Sequence, residues 1–219
     1  MRMSHVPRRL GRSAVVALAV LLLVSVPGAA ADNRYRACLD PGHGGTDPGA
    51  IRGTLVEKEL NLDIALRIRA LLDSTVYNVT LTRSDNNTTL GNSARAQICN
   101  ASSAHLVLSI HLNASTDPTV DYAWFFYGKP HKDKAFAATM DANYKLLDTS
   151  GSAFLPHKAI TNFANGTLLK SNAPAALAEG LFMSNTEEER ALLASTDASS
   201  RRQQIADQLV AGIRAFAGR

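Results

Sequence analysis

No acidic residue occurs before Asp32, no apolar run is long enough to cross a bilayer comfortably, and only two cysteines are present. Each absence removes a class of explanation. The acid-free opening carries Arg2, Arg8, Arg9 and Arg12, then an apolar run from Ala14 to Val26, then Ala29-Ala30-Ala31. A basic segment, a short apolar segment and a small-residue cleavage site, in that order, describe a secretory signal peptide over residues 1–31. A membrane span needs about 20 apolar residues, so no transmembrane anchor is expected once that signal is removed. Two cysteines, Cys38 and Cys99, allow at most one disulfide, and an oxidising compartment favours it over two buried thiols.

Basic character is also missing where it would matter. The whole chain has 23 Lys and Arg against 19 Asp and Glu, but four of those arginines lie in the export signal. Residues 32–219 are therefore balanced at 19 against 19 and carry no Lys/Arg cluster interleaved with aromatics. Nothing there suits a nucleic acid. No Pro/Gly/Ser linker, repeat or low-complexity tract marks a second module. The remaining 188 residues suffice for one domain with its own core.

What is present reads as strands alternating with helices. Tyr35 to Asp40 is a first strand running into the glycine-rich turn Pro41-Gly42-His43-Gly44-Gly45. Lys58 to Ser74 has helical apolar spacing, Val76 to Thr82 alternates like a strand, and Ser93 to Asn100 is a short helix. His105 to Ile110 is a buried strand ending at His111, and Ala123 to Tyr127 is another strand. A helix from about Asp133 to Leu147 follows, then a Gly/Ser/Asn-rich stretch from Thr149 to Asn172 that has room to act as a lid. A short strand at Ala175 to Ala178 and an amphipathic helix from Arg201 to Phe216 complete the pattern. Such alternation predicts an α/β fold: one domain with a central, mainly parallel, twisted sheet and helices on both faces. Ligands then gather outside the carboxyl ends of the strands.

His43, His111 and Glu179 are expected just past the ends of predicted strands, and Glu57 opens the first long helix. Two imidazoles and one carboxylate are the donors a catalytic zinc takes while keeping one position for water. Each residue has a plainer reading when taken alone. His43 could be a surface histidine after a glycine turn, and Glu57 a favourable acid in a first helical turn. His111 could be a satisfied core histidine, and Glu179 a buried ion-pair partner. Glu59, two positions on, points elsewhere on a helix and is the poorer ligand.

The combination is more specific than its parts. Leu39-Asp40-Pro41-Gly42-His43-Gly44-Gly45 with Asp47-Pro48-Gly49-Ala50 resembles the first motif of the zinc-dependent N-acetylmuramoyl-L-alanine amidases. Glu57-Lys58-Glu59-Leu60-Asn61-Leu62 resembles their second, and Leu108-Ser109-Ile110-His111-Leu112-Asn113-Ala114 the strand bearing the second histidine. Leu177-Ala178-Glu179 with Phe182-Met183-Ser184-Asn185 resembles the segment of the catalytic glutamate, although many relatives place the glycine of Gly180-Leu181 second. The resemblance spans residues 35 to 217 in order. It implies a zinc ion held by His43, Glu57 and His111, with Glu179 as the catalytic carboxylate. It further implies zinc-activated water cleaving the amide between N-acetylmuramic acid and L-alanine of the peptidoglycan stem peptide, in a secreted, periplasmic or wall-associated enzyme.

Other residues draw weaker expectations. Asn113 and Lys170 are candidate substrate contacts, Lys170 for a peptide carboxylate. Arg83 and Arg95 are expected to tether loops or form an ion pair. His105 is expected to be structural, and Trp124 with Phe125-Phe126 to be strand core. A single unregulated cleft is expected on a monomer, because only 67 residues separate His111 from Glu179. The rival readings are a zinc peptidase cutting within the stem peptide and a non-catalytic wall-binding protein on the same scaffold.

Overall fold

The computed structural model describes residues 1, 3 and 32–219, so the expected signal peptide lies outside the described residues. Residues 33–219 form one compact body. Its centre is a six-stranded sheet built from β1 (Tyr35–Pro41), β4 (Tyr77–Leu81), β5 (Leu106–Asn113), β6 (Ala123–Tyr127), β7 (His157–Asn162) and β8 (Ala175–Phe182). Across the sheet the order is β4-β1-β5-β8-β6-β7. The first four strands of that order run parallel; β6 pairs antiparallel with β8 and parallel with β7. A small hairpin, β2 (Ile51–Arg52) and β3 (Leu55–Val56), leads from the glycine-rich turn into the first helix.

Six helices cover the two faces unequally. α1 (Glu57–Leu71), α3 (Pro130–Asn143) and α6 (Arg201–Ala217) pack together on one face, with α5 (Glu187–Ala194) alongside α6. Among the described residues the opposite face carries α2 (Asn92–Ala101) and α4 (Gly166–Lys170), packed against each other. The period-two alternation of the strands feeds both layers. Leu106, Leu108, Ile110 and Leu112 of β5 enter the large apolar cluster, whereas Val107 enters the small one. The same split separates Leu39 from Cys38, Ala176 from Leu177 and Phe125 from Phe126.

Local signals explain the helix ends. Pro130 occupies the first turn of α3, where its missing N–H costs nothing. Ser200 caps α6 by accepting from Gln203 N, and Gly218 ends it in the left-handed region at φ 67°. Cys38 of β1 and Cys99 of α2 form a disulfide with Cα atoms 5.5 Å apart, closing a separation of 61 residues. That crosslink removes about 4 kcal/mol of loop entropy from the unfolded chain.

Two expectations are corrected. His111 and Glu179 do not stand past strand ends; they lie within β5 and β8, which extend three and four residues beyond the boundaries their apolar runs suggest, Ile110 and Ala178. The stretch from Thr149 to Asn172 is more regular than its Gly/Ser/Asn content suggests, because it supplies edge strand β7 and helix α4.

Candidate metal and catalytic site

The site lies on the thinly covered face, at the carboxyl ends of the parallel strands. There Asp40, Ser109, His111 and Glu179 take up the strand positions that further back hold Cys38, Val107 and Leu177. With α2 and α4 set to one side, a cavity of about 370 Å³ opens over these residues. His43, Asp47, Arg95, Asn165 and Thr167 complete much of its wall.

His43 and His111 line it, and Glu57 meets them from the start of the first helix. Each offers one donor atom, and the three atoms lie within 4.8 Å of one another. Glu57 Oε1 stands 3.1 Å from His43 Nε2 and 3.1 Å from His111 Nδ1. Glu57 begins α1, whose end is satisfied by backbone: Glu57 N donates to Ala50 O, and Lys58 N to Pro48 O. Its carboxylate accepts from Ala50 N through Oε2 and from Asn61 Nδ2 through Oε1. Glu59 is exposed, so the choice between the two acids follows from helix geometry.

His43 is held from behind. Its Nδ1 lies 2.8 Å from Asp47 Oδ2, which fixes the ring and leaves Nε2 facing the other donors. Its backbone sits at φ 59°, an uncommon conformation for a residue with a side chain. Two arginines hold it there. Arg95 donates to Pro41 O, His43 O and the Asp40 carboxylate, while Arg83 donates to Pro41 O and Gly42 O. Both therefore act as the loop tethers their positions suggest. A side chain at Gly42 would lie 2.2–2.5 Å from the His111 ring, so only glycine permits this approach of turn to strand.

Electrostatically the three residues form a cation-seeking set. Burial disfavours a charged His43, but hydrogen bonds and fields from Glu57 and Asp47 outweigh it and raise its pKa to about 9. Burial likewise opposes a charged Glu57, yet the two imidazoles overcome this and hold it well below the usual carboxylate range. The same field that favours a charged His43 would favour a divalent cation held between the two nitrogens and the oxygen.

Glu179 differs from all three. It pairs in register with His111, and its Oε2 is buried without a hydrogen-bond partner. Burial raises its pKa to about 7; His111 pulls it down and Glu57 pushes it up by smaller amounts. A carboxyl group poised near neutrality, unpaired and beside a metal-type cluster, suits general acid–base work.

The chain matches the N-acetylmuramoyl-L-alanine amidase family over residues 37–215. It belongs to that family. The germination-specific N-acetylmuramoyl-L-alanine amidase of Bacillus subtilis is 34% identical over 168 residues, covering 68% of each chain. The amidase AmiC of Neisseria meningitidis is 30% identical over 219 residues, covering 81% of this chain but 51% of its own length. Among solved structures, the catalytic domain of the Paenibacillus polymyxa amidase CwlV superposes with a TM-score of 0.73 at 28% identity. That match covers 84% of this chain and 98% of CwlV's domain. Membership supports amidase activity on the cell wall, and the matched residues include His43, Glu57, His111 and Glu179.

The remaining expected residues are distributed as follows. Asn113 turns its side-chain oxygen onto Ala114 N, and Lys170 Nζ donates to Ser93 Oγ; neither lines the cavity. His105 is bound through both ring nitrogens to Arg36, a structural role. Sequence reasoning gave no role to Asp47, Asn61 or the Asp40–Ser109 pair under the cavity. Asp47, four residues after His43 in one turn, was the readable signal.

Proposed function

We propose that this chain is an exported, zinc-dependent amidase that hydrolyses the bond between the lactyl group of N-acetylmuramic acid and L-alanine. One observation carries the reading: in a chain of the amidase family, donor atoms of His43, Glu57 and His111 converge, and both histidines share a cavity with Glu179, whose Oε2 is buried without a partner. His43, His111 and Glu57 would hold the metal, since two neutral imidazoles and a carboxylate match zinc's preferred donors. Zinc bound there supplies Lewis-acid polarisation of a carbonyl and a water acidic enough to ionise near neutral pH.

The protein supplies the rest. Asp47 fixes the ring and tautomer of His43, and Asn61 orients Glu57. Glu179 takes the proton of the attacking water on its carboxylate. As the carbon–nitrogen bond breaks, it returns that proton to the departing alanine nitrogen, without which an amine anion would have to leave. The products are a lactyl carboxylate and a peptide with a free L-alanine amine. Export rests on the basic, apolar and small-residue order of residues 1–31.

The test is mass spectrometry of purified peptidoglycan digested by the mature protein, with EDTA and zinc add-back. Peptides beginning at L-alanine, formed only with metal, are the expected products. Cuts inside the stem peptide would replace this reading with a peptidase, and no release at all would leave a binding protein.

A further inference from the structure

The register of the sheet lines up four side chains across four neighbouring strands. His111 on β5 pairs with Glu179 on β8, Glu179 with Trp124 on β6, and Trp124 with Lys158 on β7. Paired residues project to the same face, so this rung leads from the metal cluster through the acid–base carboxylate to an aromatic ring and a cation.

The far half of the rung is built rather than loose. The Trp124 indole N–H is shared between Ala159 O and Thr161 Oγ1, which fixes the ring plane. Phe126 lies 4.4 Å away by ring centroids, and Phe163 lies 5.4 Å beyond it and lines the cavity. Lys158 Nζ sits 4.2 Å from the Trp124 centroid and 5.2 Å from that of Tyr122. Among the described residues no carboxylate pairs with it. Two acids on flanking segments are engaged elsewhere: Asp121 accepts from Phe182 N, and Asp141 pairs with His157. Lys170, the other candidate cation, is held by Ser93.

We propose that Lys158, seated on Trp124, is a specificity determinant that binds the free α-carboxylate of the second stem-peptide residue. The inference rests on the amidase reading given above. Neighbouring strands are about 4.8 Å apart, so the ammonium folded over Trp124 stands about 5–10 Å along the rung from Glu179. An extended peptide advances about 3.5 Å per residue. A carboxylate on the second residue then lies about 7 Å from the scissile nitrogen, within that window. A sugar ring stacked on Trp124 is disfavoured, because Lys158 already covers the indole face, and the cation calls for an anion.

The experiment uses two muramoyl tripeptides that differ only in whether the second residue's α-carboxylate is free or amidated. The ratio of their kcat/KM values is measured on the metal-loaded enzyme. The wild type is expected to favour the free carboxylate about fivefold, the upper range for a solvent-accessible charge pair. Lys158→Arg keeps the preference, Lys158→Gln brings the ratio to about one, and Lys158→Glu inverts it. Lys158 is exposed, so these variants should fold. An identical ratio in all four proteins overturns the proposal. So does an equal loss on both substrates, which would point to the aromatic ring as a sugar platform. A wild type that cleaves neither tripeptide at L-alanine removes the amidase reading itself, and this inference with it.

Discussion

The two faces of the sheet are built from alternate residues of the same strands, yet they do opposite work. On the face under α1, α3 and α6, Leu108, Ile110, Phe125 and Ala178 join an apolar cluster of 31 buried side chains among the described residues. On the other face the cluster has eight, and it stops where Ser109, His111 and Glu179 begin. The thick face supplies burial, and the thin face spends it on polar groups that no fold would choose for stability. Glu179 Oε2 is buried there without a partner, whereas the unpartnered atoms on the helical side, in Asn61, Glu189 and Arg201, belong to side chains that make other hydrogen bonds. A disulfide on the thin face, joining β1 to the helix that carries Arg95, offsets the small apolar layer there.

The largest effects should separate the faces cleanly. Glu179→Ala is expected to lower kcat about a thousandfold while metal content and melting temperature hold or rise, since a desolvated carboxylate is removed. Retained turnover would end its assignment as the proton carrier. On the thick face Phe125→Ala, fully buried beside Tyr144, should cost roughly 4 kcal/mol, or on the order of 10 °C in melting temperature. The kcat of its folded fraction should be unchanged. Loss of activity per folded molecule in that variant would mean the faces are not independent.

The disulfide comes next. Replacing Cys38 and Cys99 together by alanine should cost up to about 4 kcal/mol, a smaller margin once residual unfolded-state structure is allowed for. Unlike Phe125→Ala, it should also weaken metal retention, because α2 carries the arginine that holds His43 O. A stability loss with full metal affinity would show that β1 and α2 stay docked without the bond. Asp47→Ala removes the contact to the His43 ring and one backbone hydrogen bond from Gly49 N in the same turn. A tenfold to hundredfold drop in metal affinity is expected, read by competition with a chelating dye, with little change in melting temperature of the metal-free protein.

The thick face was the more legible of the two. The apolar run of Leu106, Val107, Leu108 and Ile110 and the helical spacing of Leu60, Ile64 and Ile68 point to the core directly, because a strand covered on both faces and a helix on the sheet must bury those positions. Strand ends on the thin face were misread for the same reason. His111 and Glu179 interrupt the apolar runs, which end at Ile110 and Ala178, although backbone pairing continues to Asn113 and Phe182. The register also shifts between His111 and Asn113, where Gly180 receives the Tyr144 hydroxyl at its carbonyl. Motif order brought out His43, Glu57, His111 and Glu179, but not the partners that aim them. Asp47 and Asn61 are ordinary polar residues until the turn and the helix bring them against an imidazole and a carboxylate.

The smallest effect tests the electrostatics of the thin face with metal removed. Glu179 titrates at about 7 in the folded protein, above its ordinary 4.5, so the folded state binds its proton more tightly than the unfolded chain. Stability from this group is therefore full below pH 4.5 and is lost as pH rises to about 7. His43, raised from 6.5 to about 9, acts in the same direction over the next window. Glu57 acts oppositely, and its contribution fades only as pH falls below the carboxylate range. The chelated protein should thus lose melting temperature steadily between pH 4.5 and 9. Glu179→Gln should flatten the part below 7 and leave the part above it, whereas Phe125→Ala should shift the whole curve without changing its shape. Zinc should reverse the upper limb, because ligation requires neutral imidazoles and a cation favours the ionised form of Glu179. An unchanged profile in Glu179→Gln would mean that solvent reaches Oε2, and that the thin face does not hold the carboxyl as dry as its geometry implies.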